Sequence, residues 1–121
     1  PSILFLLPDY VAAGVQGIAI GTNDLTQLLL ATDRMNPAMN VSGDAPHPAV
    51  LRAIEHLISQ AKKAQIPCSL CGELVSQHPT IIESLIRWGV TTLSVSPDAL
   101  VRTHHEILRA EKRLFLEWGR D

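Results

Sequence analysis

Three short polar runs carry side chains suited to chemistry. They are Gly21-Thr22-Asn23-Asp24, Cys71-Gly72-Glu73 and Ser94-Val95-Ser96-Pro97, with Arg34 downstream of the first. Asp24 offers carboxylate oxygens, the donors preferred by a hard cation such as Mg2+, which usually keeps several waters. Asn23 offers an amide to a phosphate or carboxylate, and the backbone N–H groups opening the next helix attract an anion too. The plainer alternative is that Asn23 or Asp24 caps that helix. Arg34 has a guanidinium able to hold a planar anion through two hydrogen bonds, set against the ordinary reading of a solvated surface charge. A thiol of ordinary pKa, roughly 8.5, is protonated at neutral pH. That suits Cys71 to proton donation better than to nucleophilic attack, the alternative being a buried, inert cysteine.

Cys68 and Cys71 form a C-x-x-C spacing. Zinc would require further ligands, and the sequence has no second C-x-x-C and no H-x3-5-H pair. His104 and His105 are adjacent, which suits no chelating helix face. A redox pair is disfavoured because both cysteines lie on or beside the apolar run 66–70, which reads as a strand. Residues three apart on a strand face opposite ways. Two reduced cysteines with separate roles, in a cytoplasmic protein, are the expectation.

These residues need elements to hold them, and composition bounds what the elements can be. The chain has 121 residues, 46% of them apolar and only 4% aromatic, so its core must be mainly aliphatic. The net charge of −2 gives no electrostatic footprint for nucleic acid or an anionic membrane. No apolar run approaches the roughly 20 residues of a membrane span. The N-terminus has no signal-peptide pattern, and a first residue of Pro1 rather than Met suggests a piece of a longer chain.

Periodicity predicts a helix over 2–13, kinked or broken at Pro8 and ended by Gly14. A buried strand follows over 16–20. Residues 22–32 are expected to begin as a loop and turn helical from Leu25, and 33–46 to form a long surface loop. The strongest helix pattern covers 48–64, with Val50, Leu51, Ile54, Leu57, Ile58 and Ala61 in one stripe and Pro48 in its first turn. A second strand over 66–70, a helix over 79–88 stopped by Gly89 and a third strand over 91–95 come next. A closing helix over 98–118 is expected to align Val101, His104, Leu108, Leu114, Phe115 and Trp118. Alternating strands and helices imply an α/β fold with parallel strands. Three strands are too few for a closed (β/α)8 barrel of about 250 residues or an open sheet of about five strands. Each polar run follows a strand, at the edge where parallel α/β folds bind ligands.

Read in order, Gly21-Thr22-Asn23-Asp24-Leu25-Thr26-Gln27, Asp33-Arg34, His47-Pro48-Ala49-Val50, Cys71-Gly72-Glu73 and Ser94-Val95-Ser96-Pro97 resemble one family. It is the phosphoenolpyruvate-utilising enzymes, comprising pyruvate,water dikinase, pyruvate,phosphate dikinase and enzyme I of the sugar phosphotransferase system. The resemblance spans nearly the whole chain. It implies that residues 1–121 are the C-terminal portion of a (β/α)8 TIM barrel, about three parallel βα units with the barrel incomplete. It further implies binding of phosphoenolpyruvate or pyruvate with Mg2+, and phosphate exchange with a phosphohistidine on a separate domain. Carried over, Asp24 resembles a magnesium ligand, Asn23 and Arg34 resemble holders of the substrate phosphate, and Cys71 resembles the thiol that moves a proton at the methyl carbon of pyruvate. The family's second acidic magnesium ligand would fall just before Pro1, and none of the five histidines fits its phosphohistidine motif. Cys-Gly-Glu and Ser-Val-Ser-Pro resemble enzyme I or the phosphate dikinase, whereas Ala110-Glu111-Lys112-Arg113-Leu114 is more similar to the pyruvate,water dikinase (phosphoenolpyruvate synthase) group. The family also implies a homodimer, so a non-catalytic dimerisation module is the alternative of another class. The expected function is interconversion of pyruvate and phosphoenolpyruvate, with this piece inactive on its own.

Overall fold

The computed structural model describes residues 1–33 and 46–120. Helix α1 (Ile3–Ala12) opens the chain and runs unbroken through Pro8. The break expected there is avoided by a contact from elsewhere in the fold. A proline nitrogen has no hydrogen, so the carbonyl four residues back loses its helical partner. That carbonyl belongs to Leu4, and His56 Nε2 lies 2.9 Å from it as the replacement donor. The helix then ends as expected. Gly14 takes φ 106, its N–H donates to Val11 O, and Val15 N–H donates to Tyr10 O, the paired bonds of a Schellman stop.

Strand β1 (Ile18–Gly21) is followed at once by α2 (Thr22–Leu30). The loop expected over the first residues of this segment is absent, because the helix begins directly after the last strand residue. The loop expected over 33–46 lies mostly outside the described residues. Helix α3 (Pro48–Lys63) buries Val50, Ala53, Ile54, Leu57, Ile58 and Ala61, a repeat of three and four that puts one face inward. Its start is fixed by Pro48 in the first turn and by His47, whose Nδ1 accepts from Ala49 N–H at 3.1 Å.

Strand β2 (Cys68–Cys71) leads into a short helix the sequence pattern did not predict, α4 (Leu74–Gln77). The segment expected as one helix over 79–88 begins as a 3-10 turn, Pro79–Ile81, and becomes α5 (Ile82–Trp88), stopped by Gly89 at φ 106. Strand β3 is only Thr92–Leu93. A second 3-10 turn, Pro97–Ala99, then opens α6 (Leu100–Trp118).

The three strands are parallel in the order β1-β2-β3. Alternation decides which side chains enter the core. Ile20, Cys68 and Leu70 are buried and Ile18 packs against them, together with the apolar faces of α3 and α5. The paired residues Ala19 and Ser69 alternate to the opposite face, where Ala19 is exposed and Ser69 half-buried.

Helix α6 corrects an expectation. Its buried residues are Thr103, Ala110 and Leu114, whereas Val101, Leu108, Phe115 and Trp118 are all exposed, Phe115 to 74%. The helix packs on α5 and buries Ala110 and Leu114. Arg87 reaches Glu117 at 3.0 Å, and Arg113 reaches Glu83 at 2.9 Å. Such surface pairs contribute about 1 kcal/mol or less each, so Leu114 and Ala110 are the main anchors. Among the described residues, no helix is long and apolar enough to cross a membrane.

Candidate active site

Parallel strands deliver their C-terminal ends to one edge, and the register sets what meets there. Gly21 pairs with Cys71 at the last position of the β1–β2 ladder. Gly21 is also the residue before the first turn of α2, with extended backbone and no side-chain cap. Asn23 and Asp24 therefore sit inside that turn, and the alternative in which either one caps the helix is not realised. An acidic side chain in a first helical turn is favoured by the partial positive charge there. Asp24 is exposed, and its carboxylate turns back over Gly21, with Oδ2 3.4 Å from where a Cβ on Gly21 would stand.

The two strand ends are joined by side chains as well as by the ladder. Thr22 is 1% exposed, and its Oγ1 donates to the Cys71 carbonyl at 3.0 Å. Thr26 Oγ1 in turn donates to the Thr22 carbonyl at 2.7 Å. The chain leaves Cys71 through Gly72 at φ +110, in the left-handed region that favours glycine. A Cβ at Gly72 would collide with Thr22 Oγ1 and stand 3.4 Å from Asn23 Oδ1. Asn23 is thus brought across to the turn that carries Cys71.

The two cysteines have different surroundings. Cys71 is exposed at the site and Cys68 is buried, both as free thiols. Burial pushes the Cys68 thiol up to about 11. The alternative of a buried, inert cysteine therefore describes Cys68 and not Cys71.

The loops beyond Cys71 are braced. Gln77 Nε2 donates to Glu73 Oε2 at 3.1 Å, and Ser76 Oγ donates to the Glu73 carbonyl at 2.9 Å. Arg102 Nη2, on α6, donates to the Ser76 carbonyl at 2.9 Å. Ser96, one strand further along the edge, hydrogen-bonds the Asp98 carboxylate and holds it below the usual carboxylate range, helped by its own and the Ala99 backbone and by the charge of Arg102. Asn23, Asp24 and Cys71 therefore meet at the ends of β1 and β2, and Ser96 follows β3. Arg34 lies outside the described residues. The Thr22 hydroxyl, Gly72 and Arg102 carry no signal in the sequence that marks them for the site. The pairing of Gly21 with Cys71 gives the first two their place there.

Asp24 presents a single carboxylate, and among the described residues no three His, Cys, Asp or Glu side chains group to hold a metal ion. That donor set fits a hydrated hard cation completed by substrate oxygens, and does not fit a closed protein cage.

An α/β chain with polar residues gathered at the C-terminal ends of parallel strands is a ligand-binding architecture. A family model described as PEP-utilising enzyme, PEP-binding domain, matches residues 1–112, and the chain belongs to that family. Its similar relatives include a protein named phosphoenolpyruvate synthase from Aeropyrum pernix, 42% identical over 119 residues, which are 97% of this chain and 14% of the relative. A protein named probable phosphoenolpyruvate synthase from Archaeoglobus fulgidus is 38% identical over 117 residues, 97% of this chain and 15% of the relative. Another named phosphoenolpyruvate synthase, from Pyrococcus furiosus, is 35% identical over 114 residues, 94% of this chain and 14% of the relative. The chain thus spans about a seventh of the length of these relatives.

Proposed function

We propose that this chain is the C-terminal part of a phosphoenolpyruvate/pyruvate-binding (β/α)8 barrel in a cytoplasmic phosphotransferase of the pyruvate,water dikinase type. The observation that carries the reading is the meeting of Asn23 and Asp24 with Cys71 across one parallel strand pair. The barrel is supported by the uneven sheet. Parallel sheets are ordinarily covered on both faces, and here helices pack on one while Ala19 stands exposed on the other. Further strands closing a barrel would cover that face. Free thiols at both cysteines suit the cytoplasm.

In the proposed reaction the P–O bond of phosphoenolpyruvate breaks as a P–N bond forms to a histidine on another domain. The pyruvate enolate left behind takes a proton at its terminal carbon from the Cys71 thiol, leaving a thiolate. In reverse, the thiolate removes a methyl proton from pyruvate, and the enolate oxygen takes the phosphoryl group from phosphohistidine. Asn23 and Arg34 hold the phosphate, and Asp24 is one ligand of Mg2+. When bound, Mg2+ neutralises charge that moves between phosphate and enolate.

The test uses the full-length protein with phosphoenolpyruvate and Mg2+, following pyruvate release and phosphohistidine formation. Acceptors are then compared: AMP with phosphate, AMP with pyrophosphate, or a phosphocarrier protein. Turnover with the first pair identifies the pyruvate,water dikinase type, and either of the others identifies pyruvate,phosphate dikinase or enzyme I. The absence of any phosphohistidine sinks the proposal. A second reading, an assembly surface forming a homodimer, is favoured by the exposed apolar side of α6, where Val101, Leu108 and Phe115 repeat every seven residues.

A further inference from the structure

The geometry points to Thr22 as a positioning residue for the Cys71 thiol, acting through the Cys71–Gly72 peptide. The inference rests on the proposed role of Cys71 in proton transfer. Three observations support it. The Thr22 hydroxyl is buried and donates at 3.0 Å to the carbonyl of Cys71 itself, 49 residues away in the chain. The next residue is Gly72 at φ +110, and a Cβ there would strike that same hydroxyl. Thr22 is itself held, since Thr26 Oγ1 donates to its carbonyl at 2.7 Å.

A glycine places no side-chain restriction on its own backbone. The orientation of the peptide between Cys71 and Gly72 is therefore fixed by what its carbonyl meets, and what it meets is Thr22. Rotation of that peptide swings the Cα–Cβ bond of Cys71 and displaces its sulfur. Cys71 lies at the exposed end of β2 with no core packing to hold its side chain, unlike the buried Cys68. Transfer of a proton between sulfur and carbon demands close alignment, and a displacement of about 1 Å costs on the order of 100-fold in rate. The hydroxyl also ties the thiol to the turn carrying Asn23 and Asp24, so the proton donor and the phosphate end of the site move as one unit.

A buried threonine that merely satisfies its hydroxyl would affect stability and not this one step. The experiment separates the two. In the full-length enzyme, Thr22→Val removes the hydroxyl at nearly constant shape, and Thr22→Ser keeps it. The first measurement is exchange of pyruvate methyl protons in deuterated water, in which the methyl C–H bond breaks as the S–H bond forms. The second is phosphoryl transfer between nucleotide and histidine. The third is the alkylation rate of Cys71 by iodoacetamide across pH. Thr22→Val is expected to slow exchange by about 10- to 100-fold, to shift the alkylation profile, and to leave nucleotide–histidine transfer within about twofold of the parent. Thr22→Ser is expected to restore exchange. Unchanged exchange in Thr22→Val overturns the proposal, as does an equal loss in both half-reactions or a Thr22→Ser enzyme as slow as Thr22→Val. Cys71→Ala is run alongside. If it still exchanges protons, the role of Cys71 is wrong and this inference goes with it. If it is silent while Thr22→Val is normal, only the inference about Thr22 is lost.

Discussion

At the scale of single residues, two cysteines three positions apart have opposite fates, and the strand repeat of two is the reason. Cys68 packs in the core and Cys71 stands at the strand's exposed end. Within these 121 residues a single alkylation, at Cys71, is therefore expected in the folded state and two after unfolding, as read by mass. Equal rates at both positions would contradict the burial of Cys68. The Cys68 thiol, raised from 9.0 to about 11, also links stability to pH. The folded state holds this proton more tightly than the unfolded chain, so the contribution is complete below about pH 9 and is lost as pH rises towards 11. Cys68→Ala should flatten that alkaline decline relative to the parent, with little kinetic effect. Cys71→Ala in the full-length enzyme should abolish methyl proton exchange while sparing transfer between nucleotide and histidine. Equal loss of both would refute the assignment. The two cysteines were legible in the sequence because local alternation separates them. The Thr22 hydroxyl was not, because its partner is 49 residues away and only strand pairing brings them together. Placing Asn23 and Asp24 inside a helical turn also required the structure, since strand and helix abut at Gly21 without a loop.

At the scale of elements, α3 was legible because its apolar stripe and its proline agree. Helix α1 was read with a defect that the fold repairs. Pro8 removes the partner of the Leu4 carbonyl, and His56 supplies another from α3. A double-mutant cycle tests this arrangement. His56→Ala should cost about 0.5–1.5 kcal/mol in the parent, the net worth of one hydrogen bond. In a Pro8→Ala background Ala at position 8 offers the missing N–H, so His56→Ala should cost less. Equal costs in denaturant titrations of both backgrounds would show that the two residues act independently. Helix α6 was misread for the opposite reason. A 3.6-residue pattern says which residues share a face, not which face meets protein. Thr103, Ala110 and Leu114 meet it, and Val101, Leu108, Phe115 and Trp118 do not. The brevity of β3 and the presence of α4 were equally hidden, since four residues or fewer carry too little periodicity to read.

At the scale of the whole molecule, the described residues hold a three-stranded parallel sheet in which β1 and β3 each pair on one side only. Unpaired strand edges expose N–H and C=O groups that seek partners. The apolar side of α6 adds a second surface, with Leu108, Phe115 and Trp118 exposed. Contiguous apolar patches of this kind mark interaction surfaces. A polypeptide of these 121 residues alone is therefore expected to self-associate. Replacing Phe115 and Trp118 together by Gln should reduce its mass in solution without unfolding it, because both side chains are already exposed. The same polypeptide is expected to release no pyruvate from phosphoenolpyruvate. Asp24, the proposed Mg2+ ligand, is a single carboxylate, and among the described residues no group of three ligating side chains supplements it. Such a site holds Mg2+ only with substrate oxygens and other protein ligands. In the proposed site Arg34 is the one cation assigned to substrate, and a single guanidinium does not neutralise both a phosphate and a carboxylate. No group in the proposed site has the role of phosphoryl acceptor. Purified polypeptide with phosphoenolpyruvate and Mg2+ should match the enzyme-free rate of pyruvate release. A clear excess over that rate would mean that the acceptor and the charge neutralisation both reside in these residues, and a monodisperse monomer would mean that neither the strand edges nor α6 drives association.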